Sequence, residues 1–323
     1  MICGKRLEPF YGNAAADYTR VRWPHDCNEV TDYKLFSSLH KQGLLGFIET
    51  KTEMIEKREG NPEPRHAWTR EFEQGIQSMG LPCVGIYNYP YEECDSPTIA
   101  SYVGKTKEEA KIMTQYLDEK AKKNPNIFSV DYNTQCPNVP GCPSCYEESS
   151  LEHLKIVREN TSLPVFAKIG YFPEEDRLIQ FGKKAEDIGI NGIVAINSPP
   201  GMGIDIETCK TVTARKYGGV FGRGLKPLAL RTVNILHENT NLELIYVGGI
   251  YEYSDAIESL RAGASAIQLC SALNSKIATV ARQEDIPSGL SSFLTNFKQD
   301  SENYLDRKGI KSVTEIIGKL EKQ

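Results

Sequence analysis

The chain has 323 residues, 40% of them hydrophobic and 25% charged, with 38 Lys plus Arg dispersed among 43 Asp plus Glu and a formal net charge of -5. No basic block follows a phosphate backbone, which excludes nucleic acid as the expected partner. No stretch reaches the ~20 consecutive apolar residues that cross a bilayer, and Lys5 and Arg6 stand where an export signal needs its apolar region, so the expectation is a cytoplasmic protein with no membrane partner.

From the start of the chain, short apolar runs ending in turn residues alternate with longer amphipathic stretches. Residues 9–15 offer a first strand, followed by 44–48 (LLGFI) and 83–87 (CVGIY). Then come a helix over 107–122, a strand over 127–132, a helix over 147–160, a strand over 165–169 and a helix over 173–188. A strand over 192–196, a helix over 228–238, a strand over 242–247, a helix over 253–262 and a strand over 266–269 complete the series. Strands separated by helices pair in parallel, and about eight such units favour a closed (β/α)8 TIM barrel with insertions over an open doubly wound sheet. The expectation is one barrel domain spanning residues 1–323.

The residues that end each strand are more telling than the strands. Asn13, Lys51 with Thr52, Asn133, Lys168, Asn197 with Ser198, Gly248 with Gly249, and Ser271 all stand at strand ends, which a barrel gathers at its C-terminal mouth. Each alone is an ordinary turn residue; only the joint pattern points to a site. Lys168 is the sharpest member, because apolar Val165, Phe166 and Ile169 surround it and a lysine there needs an anionic or electron-rich partner. The last two strands carry VGGI (247–250) and LCSAL (269–273), where barrels build phosphate sites, and the glycine-rich 217–227 could close over them. No G-x-G-x-x-G follows a strand and no P-loop is present, which disfavours both nucleotide folds.

The nine cysteines are an odd number spread over a long chain, unlike a disulfide framework, and fit a reducing compartment. Cys136, Cys142 and Cys145 have cluster-like spacing but no second C-x-x-C pair to complete a soft ligand set, so no metal is expected; a redox-labile Cys142 and Cys145 pair stays open. The five histidines, at 25, 40, 66, 153 and 237, follow no strand end, so histidine is a poor candidate base.

The segments KREGNPEPR (57–65), QSMGLP (77–82), NTQCPNVPG (133–141), AINS (195–198), GRGLKPLAL (222–230) and VGGI (247–250) resemble dihydroorotate dehydrogenases, most closely the soluble class 1A branch. The resemblance covers nearly the whole chain; residues 17–43 match poorly. It implies an FMN-containing flavoprotein that oxidises dihydroorotate to orotate in pyrimidine biosynthesis. Cys136 then matches the catalytic base, and Lys51 and Lys168 match lysines at the flavin. Ala14, Thr52, Gly222, Gly248, Gly249, Cys270 and Ser271 match flavin-contacting positions. Lys51, Gln77, Met79, Gly80, Leu81, Asn133, Asn138, Asn197 and Ser198 match the substrate shell. Lys51 and the backbone N–H groups of Met79, Gly80 and Leu81 would take a carboxylate, and the three asparagines an imide-like edge. Hydride would pass to flavin N5 and Lys168 would offset the charge of the reduced flavin. A free thiol titrates near ~8.5, so the site must depress that value or work better in alkali. The resemblance also implies a homodimer and favours a soluble acceptor such as fumarate over NAD reached through a partner flavoprotein.

Three departures mark this chain. Gln77 and Gln135 stand where the family usually has shorter residues, which would crowd the pocket with two long amides, and Cys270 replaces a small glycine, so its side chain must point away from the phosphate. A related FMN oxidoreductase acting on another dihydropyrimidine, or a non-catalytic flavin-binding barrel, remain as alternatives.

Overall fold

In the computed structural model, which describes residues 2–16, 29–69, 73–135, 138–280 and 286–321, the strands in chain order are β1 (Tyr11–Asn13), β2 (Ile48–Glu49), β3 (His66–Thr69), β4 (Gln74–Gln77), β5 (Thr98–Tyr102), β6 (Ile127–Asn133), β7 (Val165–Ile169), β8 (Gly192–Ala195), β9 (Pro200–Gly201), β10 (Ile204–Asp205), β11 (Lys210–Thr211), β12 (Gly218–Gly222), β13 (Glu243–Val247) and β14 (Ala266–Leu269). The helices are α1 (Glu29–Lys41), α2 (Lys107–Lys123), α3 (Glu148–Glu159), α4 (Glu175–Ile188), α5 (Lys226–Asn239), α6 (Tyr253–Arg261), α7 (Ser271–Val280) and α8 (Ile286–Arg307).

Eight strands form one sheet in the order β1-β14-β13-β8-β7-β6-β5-β2, with parallel pairing throughout. Its two end strands meet through a parallel bridge between Gly12 and Phe47 and a hydrogen bond donated by the Gly46 N–H to the Tyr11 carbonyl. The sheet therefore closes as a (β/α)8 barrel. Glycine flanks this seam for a steric reason: a Cβ on Gly46 would lie 1.8 Å from the Pro9 carbonyl oxygen, and one on Gly12 would lie 2.4 Å from that of Phe47.

Side chains alternate across each strand, so inward positions recur every second residue. Phe47, Ile99, Phe166, Val194 and Ile245 form a buried apolar layer together with Ile2 and Leu7. Two residues further along, toward the strand ends, the buried positions turn polar at Glu49, Ser101, Lys168 and Gln268. Outside, helices cover the sheet: α2 starts with Thr106 accepting the Glu109 N–H and buries Ala110, Met113, Thr114 and Leu117 at helical spacing. Among the described residues no helix is long and apolar enough to cross a membrane.

The five predicted helices are present, but the third barrel strand is not the predicted one. Residues 83–87 form no barrel strand: Cys83 makes only an isolated antiparallel bridge to Arg58, Gly85 turns the chain with φ +89°, and a turn begins at Ile86, whose N–H donates to the Met54 carbonyl. The barrel instead uses β5, TIASY, whose Thr98 and Ser101 are buried and kept its apolar signal low. The predicted run over 44–48 contributes only Ile48 to β2. A further antiparallel sheet, β3-β4-β12-β9, was not foreseen; it pairs His66 and Gly219 with Gln77 on either side.

Candidate active site

At the C-terminal ends of the barrel strands lies a cleft of about 1280 Å³ of atom-free space, its open mouth included. The barrel rim contributes Ala14, Lys51, Thr52, Asn133, Lys168, Asn197, Ser198, Gly248, Gly249, Cys270 and Ser271 to its lining. The small antiparallel sheet and the loops beside it close the other wall with Gln77, Met79, Gly80, Leu81 and Asn138. Residues spread over nearly the whole chain are thus brought together as the rim geometry requires. Cys136 lies outside the described residues, but Asn133 and Asn138, which bracket it in sequence, both line the cleft.

Hydrogen bonds hold the polar wall in place. Asn197 Nδ2 donates to Asn133 Oδ1 at 3.3 Å and to the Gln135 carbonyl at 2.5 Å, and Asn133 Oδ1 also accepts the Gln135 N–H at 3.1 Å. Asn197 Oδ1 accepts the Ser198 N–H at 2.9 Å. Across the cleft, Gln77 Oε1 accepts from Asn138 Nδ2 at 3.1 Å and from the Met79 N–H at 3.0 Å. The Met79 N–H is therefore engaged within the protein, while Met79, Gly80 and Leu81 all line the cleft. Asn138 Oδ1 is buried with no hydrogen-bond partner, an acceptor that suits an N–H of a bound ring.

Of the two long amides, only Gln77 reaches the cleft. Gln135 turns its side chain toward Cys145, whose Sγ lies 3.6 Å from Gln135 Oε1, and its Cγ packs against Gly170, so the expectation of two amides crowding one pocket is not met. Cys145 Sγ also accepts the Gly170 N–H at 3.3 Å, and burial pushes its thiol up to about 12. Cys142 and Cys145 are both thiols, not joined in a disulfide.

The floor of the cleft is charged. Lys168, 5% exposed, lies with Nζ 3.6 Å from Glu49 Oε1. Burial alone would lower its pKa, and the acidic surroundings, Glu49 foremost, outweigh that and raise it, so it stays an ammonium. Gln268 Nε2 donates to Glu49 Oε2, while Gln268 Oε1 is buried without a partner. Glu49, Asp131 and Gln268 escaped sequence reasoning. The signal was their parity: each stands two residues from an inward residue of its own strand or strand end, Lys51, Asn133 and Ala266.

The glycine-rich end suits a phosphate. Gly249 has φ +70°, and a Cβ there would lie 2.6 Å from the Lys226 nitrogen, so only glycine lets the backbone run this close to the start of α5. The first turn of α7 opens at Ser271 directly after β14, presenting backbone N–H groups at the cleft. Cys270 lines the cleft with its Sγ 4.0 Å from Asn274 Nδ2, and Asn274 Oδ1 is a further buried acceptor without a partner. Gly222 is absent from the lining. It ends β12 opposite Gln74, and a Cβ there would meet the Glu73 carbonyl oxygen at 2.1 Å, so its glycine serves strand pairing.

His66, set aside in the sequence, does line the cleft, from β3 and not from a barrel strand. Its ring stacks on Phe221 at 4.8 Å, and burial lowers its pKa against a smaller opposing pull from Glu63, which keeps the ring neutral at pH 7. Its place directly after the GNPEPR segment was the available clue.

Comparison with known proteins bears on these features. The family model described as Dihydroorotate dehydrogenase matches residues 31–294. The chain is 33% identical over 293 residues to the protein named dihydroorotate dehydrogenase B (NAD(+)), catalytic subunit, of Pyrococcus abyssi, covering 88% of this chain and 90% of that one. The protein of the same name from Pyrococcus furiosus is 33% identical over 297 residues, covering 90% and 91% of the two chains. Its namesake from a Geobacillus species is 33% identical over 245 residues, covering 74% and 75%.

Proposed function

Because the chain belongs to the dihydroorotate dehydrogenase family, whose members oxidise CH–CH donors, we propose that it is an FMN-dependent enzyme converting dihydroorotate to orotate in pyrimidine biosynthesis. One observation carries the reading: Lys51, Asn133, Asn138 and Asn197 share a single cleft with Lys168, Gly248, Gly249 and the start of α7. That combination offers an anionic planar substrate and a phosphate-bearing planar cofactor their partners side by side.

The residues present fit FMN. Gly248, Gly249 and the N–H groups at Ser271 would hold the phosphate, and Ala14, Thr52, Lys168 and Gln268 would meet the ring; the unpartnered Gln268 Oε1 accepts an imide N–H. FMN, when bound, supplies the two-electron acceptor whose reduced form gathers negative charge at one edge. Lys168 offsets charge there from a fixed, desolvated position. Lys51 and the Gly80 and Leu81 N–H groups take the substrate carboxylate. Asn133, Asn138 and Asn197 fix the ring's orientation through amides already held by Gln77, Gln135 and Ser198. Cys136 accepts at Sγ the proton on the substrate carbon next to the carbonyl. Activity rises toward alkaline pH as the thiolate fraction grows.

Replacing Cys136 with Ala tests the base directly. C136A retains FMN and orotate binding and loses at least ~100-fold in the rate of flavin reduction, the scale of a positioned general base; an unchanged rate removes Cys136 from the mechanism. The oxidant is decided separately. The class 1A resemblance favours fumarate and a homodimer in the cytoplasm, whereas the relatives are named as NAD(+) enzymes and catalytic subunits, which favours NAD+ reached through a second subunit. Reduced protein mixed anaerobically with fumarate reoxidises within a turnover on the first reading. On the second it stays reduced until a partner flavoprotein and NAD+ are added.

A further inference from the structure

At and beneath the cleft floor three ionisable side chains are almost wholly buried: Glu49 is 2% exposed, Asp131 0% and Lys168 5%. Two carboxylates and one ammonium leave an uncompensated negative charge in the barrel unless one carboxyl keeps its proton. The surroundings differ. Glu49 has Lys168 Nζ 3.6 Å from Oε1, an ion-pair contact in which Oε1 makes no hydrogen bond, and the Gln268 amide donating to Oε2. Asp131 has the Ser101 hydroxyl at 3.4 Å from Oδ2, and its Oδ1 has no hydrogen-bond partner. Burial and the neighbouring Glu49 push the Asp131 carboxyl well above the usual range, so Asp131 is the member that stays neutral. Glu49 and Lys168 then form the ion pair.

Two of the side chains that Glu49 meets, Lys168 and Gln268, reach the cleft, while Glu49 itself does not line it. We propose that Glu49 is a positioning residue for the electron-accepting ring: by holding Lys168 through one oxygen and Gln268 through the other, it fixes the cation and the amide that meet the ring and sets how much net positive charge the floor presents to it. This rests on the FMN reading. A carboxylate behind the ammonium moderates its pull on electrons, so the wild-type flavin is harder to reduce than it would be above Lys168 alone.

The test uses the FMN-loaded protein and two isosteric variants, Glu49→Gln and Asp131→Asn, read by the flavin midpoint potential against a reference dye and by the dissociation constant for sulfite, which adds to the electron-poor ring. E49Q removes one charge and raises the two-electron reduction equilibrium about tenfold, equivalent to ~30 mV, with sulfite binding about tenfold tighter. D131N removes a group that is already neutral and changes both by less than about twofold. A purely structural ion pair would cost E49Q stability or flavin occupancy yet leave the bound flavin's potential at the wild-type value, and that result overturns the proposal. Should E49Q not fold, a tenfold shift in D131N still overturns it, because Asp131 would then be the charged member. A protein that takes up no flavin overturns this proposal together with the reading it rests on; bound flavin with an unshifted E49Q potential overturns this proposal alone.

Discussion

Asp118 on α2 accepts the Ser162 N–H at 2.7 Å, the Ser162 hydroxyl at 2.8 Å and the Thr161 hydroxyl at 2.8 Å, and pairs with Lys122 at 2.7 Å. Burial by itself would raise its pKa; Lys122 and the Ser162 and Thr161 donors outweigh that and hold the carboxyl well below the usual range. A depressed native pKa means that the unfolded chain binds the proton more readily. The stabilisation is therefore complete above the unfolded value near ~4 and is lost as pH falls below it. Asp118→Asn is expected to cost ~2 kcal/mol at pH 7 in denaturant unfolding and to narrow its deficit relative to wild type in acid; a constant deficit across pH contradicts this assignment. At this scale the sequence was informative where a residue type is unusual for its place, as with Lys168 inside an apolar strand. It was silent on Glu49 and Asp131, because a carboxylate written in a string looks the same whether it faces water or the barrel axis. Gln135 shows the converse: the loop turns it away from the cleft toward Cys145, and nothing in its type foretold that.

The elements repeat the lesson with different physics. Helices α2 to α6 were legible because an amphipathic stripe declares itself over many residues. Strand β5 was not, because its inward Ser101 belongs to the polar layer under the cleft while Thr98, on the opposite face, meets the Tyr33 hydroxyl at 3.1 Å, and both lower the apolar signal a strand is recognised by. The sheet β3-β4-β12-β9 joins the local hairpin β3-β4 to β9 and β12, which come so much later in the chain that local patterning does not reveal the pairing. Among the loops, the turn after β13 is the most constrained. Gly249→Ala forces a Cβ to within 2.6 Å of the Lys226 nitrogen at a left-handed φ, so the turn must shift away from the phosphate position. FMN affinity falls at least tenfold, measured by fluorescence titration of the apoprotein, while unfolding stability drops by only ~1 to 2 kcal/mol. Equal affinity in G249A and wild type would show that this turn does not hold the cofactor.

For the whole molecule, closing the barrel produces the site. The eight-stranded order carries strand ends from residues 13 to 271 to one rim, where no single segment holds more than a fragment of the chemistry. The apolar layer of Phe47, Ile99, Phe166, Val194 and Ile245 fixes the rim from below, and the small antiparallel sheet walls the cleft from the side. On the proposed function, this cleft passes two electrons from a reduced pyrimidine to a flavin. Anaerobic stopped-flow mixing of the yellow FMN-loaded protein with dihydroorotate measures this step in isolation. Loss of the flavin's visible absorbance within the dead time to seconds, with orotate formed in equal amount, is the predicted result; a protein that stays yellow with dihydroorotate, or that bleaches only with a different dihydropyrimidine, contradicts it.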